Sequence, residues 1–332
     1  MDMRVDTLNC SARLLVLVSQ HREPLHQDVT RMRLHWQGQA LVVRTPAKLN
    51  LFLDVLGKRP DGYHELETLM VSVGLYDTLR FQANPSGRFE LSLHEASPGI
   101  TRSMRELLPL DERNLVLKAA LLLREQTGCT LGATIQLAKS IPLQAGLGGG
   151  SSDAAAALVG LNRLWNLGLS PAALHPLAAK LGSDVNFFLD SVPLALCRGR
   201  GEQITPAPLS RPLHFVIVKP PGGLSTRDVF LALRTDRAPR GSAAIRHVLQ
   251  IGDLSQIGTQ LHNSLEVPAV ELSEEVARVL ASLERVSSVG RMMTGSGSSC
   301  FALCAHRGQA VRISHQLRAL CRGQVFVVQT AT

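Results

Sequence analysis

The most constraining stretch of this 332-residue chain is a glycine-rich loop that leads directly into a predicted helix. It reads Pro142-Leu-Gln-Ala-Gly-Leu-Gly-Gly-Gly-Ser-Ser-Asp153, and a run of alanines follows it. Glycine allows positive φ angles and close backbone approach, so successive N–H groups can face one anion. Ser151, Ser152 and Asp153 are typical helix-starting residues, and the first helical turn would direct its free N–H groups at the same anion. The pattern predicts a site for the phosphates of a nucleoside triphosphate.

Two better-known phosphate motifs do not fit this stretch. A P-loop requires a lysine after its last glycine, and none follows here. A dinucleotide fingerprint requires Gly-x-Gly-x-x-Gly, and Ser151 stands where the third glycine belongs. A flexible surface loop is the remaining alternative. Against it, residues 134–139 alternate like a strand before the loop, and Leu158, Leu161 and Leu164 recur at helical spacing after it.

Composition limits the class of protein. With 45% hydrophobic residues the chain can bury a large core, and its length suggests two domains of roughly 150 residues each. No apolar run approaches the roughly 20 residues that cross a bilayer, and Leu14 to Val18 is too short for a signal-peptide core. The six cysteines are scattered without a Cys-x-x-Cys pair, which favours buried thiols over zinc ligands or disulfides, even for Cys300 and Cys304 on one strand face. We therefore expect a soluble cytoplasmic protein that does not bind membranes.

The formal net charge of +8 raises the question of nucleic-acid binding. The arginines are spread through the chain, no block of consecutive basic residues occurs, and tyrosine and tryptophan are too scarce for a stacking platform. The distribution argues against a nucleic-acid partner. A positive field of this kind suits small polyanionic ligands instead.

The chain changes character along its length. Residues 1–38 mix acidic and basic residues without a clear apolar period, which predicts an irregular N-terminal extension. Regular patterning begins near Ala40, where residues 41–44 and 49–55 are predicted as short strands. A proline-rich stretch over 205–212 marks a domain junction. Because the regular pattern begins so abruptly, Met32 is an alternative start of translation.

Six residues around the glycines form a specific pattern: Pro142, Gly146, Leu147, Gly148, Ser151 and Ser152. This stretch resembles the ATP-binding signature of the GHMP kinases, the family named for galactokinase, homoserine kinase, mevalonate kinase and phosphomevalonate kinase. The resemblance implies an α+β, two-domain fold: an N-terminal ribosomal-protein-S5-domain-2-like α/β domain over residues 39–205, which binds ATP, and a C-terminal ferredoxin-like domain over residues 206–332. The residues it assigns to ATP are Pro142, Leu143, Gln144, Ala145, Gly146, Leu147, Gly148, Gly149, Gly150, Ser151 and Ser152.

The segment Pro46-Ala-Lys-Leu-Asn-Leu51 reads as a strand with Lys48 and Asn50 on one face. A half-buried strand with a solvated lysine is the ordinary interpretation of such a pattern. The segment also resembles a motif near the start of these kinases, which makes Lys48 catalytic and Asn50 part of the acceptor site. An ammonium beside the acceptor hydroxyl would lower its pKa and stabilise developing negative charge.

The segment Leu181-Gly-Ser-Asp-Val185 is similar to a family segment that carries a catalytic aspartate, and Asp184 is the matching residue. Without that resemblance, a simple helix cap is the better interpretation of Asp184. A carboxylate with an ordinary pKa of about 4 is a weak base toward an alcohol, so pairing with Lys48 is needed. Ser183 replaces the alanine that is usual in the family, which is a small change.

Tyr63 and His64 follow a predicted Asp61-Gly62 turn and could simply pack there. An aromatic ring can also stack on a pyrimidine while an imidazole bonds to its edge. The resemblance favours the second interpretation, with Phe230 as the opposing ring, and implies that the substrate is a cytidine diphosphate ester whose hydroxyl is phosphorylated. Mevalonate, homoserine or a sugar is the alternative substrate.

The stretch from Met293 to Cys300 resembles a further glycine-rich turn of the family, packed near the phosphate loop. The resemblance also implies Mg²⁺ with the ATP and a bacterial cytoplasmic enzyme. The protein ligands of the metal stay unknown at this stage, with Ser151 and Ser152 as candidates. The sequence leaves open whether the protein is a monomer or a homodimer.

Overall fold

The computed structural model describes residues 32–234 and 238–330. Its strands are β1 (Arg33–Gln37), β2 (Ala40–Lys58), β3 (His64–Asn84), β4 (Phe89–Leu93), β5 (Gly132–Ala138), β6 (Leu194–Gly199), β7 (Gln203–Pro206), β8 (His214–Lys219), β9 (His262–Asn263), β10 (Gly290–Met293), β11 (Cys300–Cys304) and β12 (Gln324–Gln329). Its helices are α1 (Arg102–Arg105), α2 (Leu115–Thr127), α3 (Gly149–Leu164), α4 (Pro171–Leu181), α5 (Val185–Asp190), α6 (Thr226–Ala232), α7 (Ala243–Ile251), α8 (Leu254–Gln260), α9 (Glu266–Leu272), α10 (Glu274–Glu284) and α11 (Arg307–Leu320). No helix in these described ranges is both long enough and apolar enough to cross a membrane.

The larger sheet is built on a long antiparallel hairpin of β2 and β3. Its strand order is β1-β2-β3-β5-β4, with β6 beside β3, β7 beside β6, and β9 beside β2. The short strands predicted over 41–44 and 49–55 form one continuous strand, β2. The register shift at Pro46/Ala47 accommodates the proline, because a bulge lets a strand continue where a ladder hydrogen bond is missing.

The predicted irregular extension over residues 1–38 is wrong at its C-terminal end. Residues 33–37 form β1, which pairs with β2 from Arg33–Arg44 to Gln37–Ala40 around Gly38 at φ 62°. A glycine at positive φ permits this tight turn, and the pairing with β2 supplies the order that the sequence pattern did not indicate. Met32 is also buried, and its N–H donates to Ser191 Oγ at 2.9 Å. The remainder of the predicted extension, residues 1–31, lies outside the described residues.

The smaller sheet is antiparallel, with the order β10-β11-β8-β12. Its helix-facing side packs against α10 and α11, where Cys300 and Cys304 are buried with Val279 and Leu317 in one hydrophobic core. The interpretation of these two cysteines as core residues is confirmed. Burial raises the pKa of the Cys304 thiol to about 12, which makes it unreactive at neutral pH.

The two sheets share a core, so the division at 205/206 does not separate two independent bodies. The chain passes from the larger to the smaller sheet between Pro206 and His214. Leu49 and Leu51 from β2 belong to the same buried cluster as Phe215 and Phe301 from the smaller sheet. In addition, β9 lies within the second predicted domain but pairs parallel with β2 of the first. Short strands like β9 leave no periodic signal in the sequence.

Two carboxylates on the larger sheet connect it to the segment before α7. Asp54 and Glu67 lie opposite each other in the β2–β3 register. Asp54 Oδ2 accepts from the Arg240 N–H at 2.7 Å, and Glu67 Oε1 accepts from the Ser242 N–H at 2.7 Å. Burial would raise both pKa values, but hydrogen bonds from Ser264 and Arg240 lower the pKa of Asp54, and those from Ser242 and Arg198 lower that of Glu67.

This pair predicts an acid-sensitive attachment of the segment before α7 to the larger sheet. Because both folded-state pKa values are lowered, the carboxylates stabilise the fold above their unfolded pKa values of 3.8 and 4.5. That contribution is lost as pH falls through the lower folded-state values. We expect the free energy of unfolding, measured by urea titration, to fall below about pH 5 less steeply in a D54N/E67Q variant. An unchanged slope in that variant would contradict the assignment, and Asp228→Asn on exposed α6 is the control.

Candidate active site

A single cavity of about 1050 Å³ collects the predicted site residues from both halves of the chain. Its lining includes the glycine-rich segment of residues 142–151, which we term the phosphate loop. Lys48 and Asp184 also line it, as do Tyr63, His64 and Phe230. Segments separated by up to about three quarters of the chain, from Lys48 to Gly297, therefore converge on one cleft.

The phosphate loop is held in shape by glycines that cannot be replaced without a clash. Gly146 has φ 71°, and a Cβ there would lie 2.4 Å from the Thr294 carbonyl oxygen. Gly148 has φ 73°, and a Cβ there would lie 2.8 Å from Phe188 Cζ and 3.0 Å from Lys48 Cγ. By contrast, a Cβ on Gly150 would make only an ordinary 3.5 Å contact with Leu115. The protein itself thus requires the first glycines, while Gly150 leaves backbone open to the cavity.

The helix after the loop begins earlier than predicted. Gly148 is its N-cap residue, and α3 starts at Gly149, so Ser151, Ser152 and Asp153 lie inside the first turns. The Lys48 N–H donates to the Leu147 carbonyl at 3.0 Å, which fixes β2 against the loop. The free N–H groups of the helix start therefore belong to glycines, which bring the backbone as close to an anion as sterics permit.

Ten of the eleven residues predicted to bind ATP line the cavity, namely Pro142 to Ser151. Ser152 does not. Its buried Oγ donates to the Pro46 carbonyl at 2.6 Å and lies 2.6 Å from Thr45 Oγ1, so its side chain ties α3 to β2. Consecutive helical residues point about 100° apart, and Ser151 and Ser152 cannot both face the loop. Ser152 is therefore a structural residue of the helix start.

Lys48 and Asp184 form an ion pair at the centre of the cavity. Lys48 Nζ lies 3.4 Å from Asp184 Oδ2 and donates to Asn50 Oδ1 at 2.6 Å. The Lys48 side chain is 5% exposed and that of Asp184 is 27% exposed, so the carboxylate is the group open to the cleft. An ammonium and an accessible carboxylate at this spacing can share a proton-transfer task.

Asp184 occupies the N-cap position of α5, but its side chain makes no capping hydrogen bond. The structure therefore does not support the alternative interpretation of Asp184 as a residue whose side chain caps the helix. Its carboxylate faces Lys48 instead, and Ser183 beside it also lines the cavity.

Asn50 is almost fully engaged by the protein. Its Oδ1 accepts from Lys48 and, at 3.3 Å, from Thr294 Oγ1, and its Nδ2 donates to Thr68 Oγ1 at 2.8 Å. These contacts fix the Asn50 side chain, and its Oδ1 in turn orients the Lys48 ammonium group. The turn that carries Thr294 packs on the phosphate loop, since Ser299 N–H donates to the Ala145 carbonyl at 3.2 Å. The predicted proximity of these two glycine-rich turns is confirmed.

The aromatic end of the cavity is arranged differently from the prediction. Phe230 stacks on His64, with ring centroids 5.0 Å apart and planes at 28°. Tyr63 instead lies under the Arg200 guanidinium, whose Cζ is 4.8 Å from the ring centroid, and is 53% exposed. Burial, and secondly the charge of Lys58, lowers the pKa of His64, so its imidazole is neutral at pH 7.

A buried charge cluster beneath the loop was missed by the sequence reasoning. Lys139 Nζ contacts Asp77 and lies 2.7 Å from Asp153 Oδ2. Burial works against charge on Lys139, but the two carboxylates raise its pKa above the ordinary value. The only sequence signal was a lysine at the end of a strand that enters the phosphate loop.

Two family models of known proteins match parts of this chain. Residues 114–192 match the family model of the GHMP kinases N-terminal domain, and residues 243–323 match that of the GHMP kinases C-terminal domain. The structure of L. major mevalonate kinase shares the fold, with a TM-score of 0.68 at 19% identity over 86% of this chain and 94% of that one. The structure of Cytophaga hutchinsonii homoserine kinase shares it too, with a TM-score of 0.67 at 20% identity over 90% of this chain and 97% of that one.

More similar relatives carry one name. A 4-diphosphocytidyl-2-C-methyl-D-erythritol kinase of Pelotomaculum thermopropionicum is 43% identical over 86% of this chain and 96% of its own. One of Shouchella clausii is 41% identical over 86% of this chain and 93% of its own. A crystal structure of 4-(cytidine 5'-diphospho)-2C-methyl-D-erythritol kinase superposes with a TM-score of 0.73 at 34% identity, covering 88% of this chain and 99% of that one.

The two-domain fold, the glycine-rich phosphate loop and the lysine–aspartate pair define a small-molecule kinase of the GHMP type. ATP is its phosphoryl donor. Within that class, the chain belongs to the 4-diphosphocytidyl-2-C-methyl-D-erythritol kinase family.

Proposed function

We propose that this protein transfers the γ-phosphoryl group of ATP to the 2-hydroxyl of 4-diphosphocytidyl-2-C-methyl-D-erythritol, giving the 2-phosphate and ADP. This reaction belongs to the methylerythritol phosphate route to isopentenyl diphosphate, in the bacterial cytoplasm. The observation that carries the proposal is that one cavity brings together the phosphate loop, the Lys48–Asp184 ion pair and the aromatic residues Tyr63 and Phe230. These three groups match a donor triphosphate, a reacting hydroxyl and a pyrimidine.

The residues divide the chemistry between them. The oxygen of the acceptor hydroxyl forms a bond to the γ-phosphorus, and Asp184 accepts the proton of that hydroxyl as it does so. The bond from that phosphorus to the bridging oxygen of ADP breaks, and ADP leaves with the electron pair. Lys48 stabilises the charge that develops on the transferring group, and Asn50 holds Lys48 in place by the 2.6 Å hydrogen bond. The N–H groups of residues 146–151 bind the phosphates of the donor.

Mg²⁺ fits the hydroxyl oxygen that Ser151 offers to the cavity. A Cβ on Gly182 would lie 3.9 Å from Ser151 Oγ, which places that hydroxyl beside the Asp184 segment, so Ser151 would hold the metal while the Asp184 carboxylate stays free to take the proton. Mg²⁺ binds one or two protein oxygens together with substrate phosphates. When bound, it would neutralise charge on the β- and γ-phosphates. The described residues contain no cluster of three or more His, Cys, Asp or Glu side chains suited to holding a metal ion by themselves.

Tyr63, His64 and Phe230 are proposed to bind the cytosine base. The exposed Tyr63 ring offers a stacking surface, and the neutral imidazole of His64 can both donate and accept at the base edge. The Arg200 guanidinium lies over the Tyr63 ring and supports it. The experiment that tests the proposal is ADP release measured with the cytidine substrate, mevalonate and homoserine. Activity confined to either of the last two would overturn it.

Tyr63→Ala is expected to raise KM for the cytidine substrate by about 5- to 150-fold, because stacking of a base on an aromatic ring contributes about 1–3 kcal/mol. The KM for ATP should change little, since the Tyr63 ring lies against the Arg200 guanidinium and is not part of the phosphate loop. Tyr76→Ala is a matched control, because Tyr76 also lies under an arginine, Arg44, at 4.9 Å but does not line the cavity. If only the ATP constant moved, the base would bind elsewhere.

A further inference from the structure

Beneath the phosphate loop, Lys139, Asp77 and Asp153 form a cluster that we term the ionic clasp. Their side chains are 1%, 0% and 6% exposed. Removing three ionisable groups from water is costly, and such a cluster stabilises a fold only where its geometry is well satisfied. The contacts of the ionic clasp therefore indicate what it does for the loop above it.

The ionic clasp joins the two ends of the phosphate loop. At the loop entrance, Asp77 Oδ1 accepts from the N–H groups of Ser140 at 2.6 Å and Ile141 at 2.9 Å. At the loop exit, Asp153 lies in the early part of α3. Lys139 Nζ donates to both carboxylates and so bridges entrance and exit through a single ammonium group.

Lys139 lines the cavity, but its charge is largely offset before it reaches the donor phosphates. Two carboxylates lie against its ammonium group, which offsets the positive field that would reach the cavity. Lys139 instead supports the backbone of the helix start. Its Nζ lies directly behind Gly149, 3.1 Å from where a Cβ on that residue would be. A shift of the ammonium group would therefore displace the N–H groups that face the cavity.

We infer that Lys139 and Asp153 are positioning residues for the donor nucleotide, an inference that rests on the proposed function. The ionic clasp holds the two ends of the phosphate loop at a fixed separation, and the N–H groups of residues 146–151 keep the spacing that a triphosphate requires. Preorganised donors bind an anion more tightly because no ordering cost is incurred on binding.

Asp153→Ala and Asp153→Asn form the test pair. Alanine breaks the bridge to α3 but leaves Lys139 paired with Asp77, so the buried ammonium keeps a counter-ion. Asparagine keeps an oxygen acceptor for Lys139. The loss of one charge-assisted hydrogen bond predicts that Asp153→Ala raises the Kd for ATP and the KM for ATP by about 10-fold. Asp153→Asn should stay within about 3-fold, and neither variant should raise KM for the cytidine substrate.

Leu317→Ala in α11 provides a stability-matched control, because Leu317 is fully buried in the other sheet's core. Wild-type ATP affinity in Asp153→Ala would overturn the inference. So would equal damage in both Asp153 variants, or a rise in both KM values that Leu317→Ala reproduces. ATP binding is measured by calorimetry without acceptor, so a wild-type protein that binds ATP but does not phosphorylate the cytidine substrate contradicts only the proposed function.

Discussion

Asp184→Asn is expected to lower kcat by about 10³-fold while the Kd for ATP stays within about 2-fold. Asparagine retains the size of the side chain but cannot take the proton of the acceptor hydroxyl. Because the Asp184 side chain makes no capping hydrogen bond, its replacement removes no contact that holds α5. The measurement is steady-state ADP release at saturating substrates, with ATP binding by calorimetry.

Asp190→Asn is the matched control for this variant, because Asp190 is the last residue of the same helix and pairs with His175. Asp190 does not line the cavity, so its variant should keep the wild-type kcat. A near-normal kcat in Asp184→Asn would remove Asp184 as the base. A parallel loss in both variants would show that α5 as a whole, rather than one carboxylate, had been disturbed.

Lys48→Met is expected to lower kcat by about 10²- to 10³-fold, because the ammonium that stabilises transition-state charge is removed. Methionine fills much of the same volume, and the carboxylate left behind, Asp184, is 27% exposed and can be solvated. We therefore expect the variant to fold, with a thermal midpoint close to that of the exposed control Lys118→Met. The kcat of Lys118→Met should equal that of the wild type.

The double variant Lys48→Met/Asp184→Asn separates a cooperating pair from two independent groups. Catalytic groups that act as a unit are strongly non-additive, so the double variant should be little slower than the worse single variant. Multiplicative losses would contradict the pairing that the 3.4 Å contact indicates.

Much of the donor site was predictable from the sequence because it lies in one continuous segment. The residues from Pro142 to Ser151 are neighbours in the chain. Gly146 and Gly148 adopt positive φ, and glycine is the residue type that adopts it most readily, so the residue types themselves indicate this backbone conformation. The start of α3 was misplaced because serine is a better general cap than glycine, whereas here the close approach of Phe188 to Gly148 decides the capping residue. That approach is a tertiary contact.

The acceptor site was predictable only through family resemblance. Lys48, Asp184 and Tyr63 are single residues in ordinary local patterns, and each has a common structural interpretation. Their convergence on one cavity depends on the β2–β3 hairpin and on the packing of α5 against α3 and α4. The stacking of Phe230 on His64 rather than opposite Tyr63 likewise depends on where α6 lies relative to β3.

The sequence by itself determined the phosphate loop, because the backbone conformation of a glycine-rich segment depends mainly on its own residues and their neighbours in the chain. Only the tertiary structure decided that Ser152 faces β2, that Asp184 faces Lys48 instead of capping α5, and that Lys139 bridges Asp77 and Asp153. These assignments depend on charges and hydrogen bonds between segments that are far apart in the chain. Such pairings gain their strength from burial, which no local sequence pattern records.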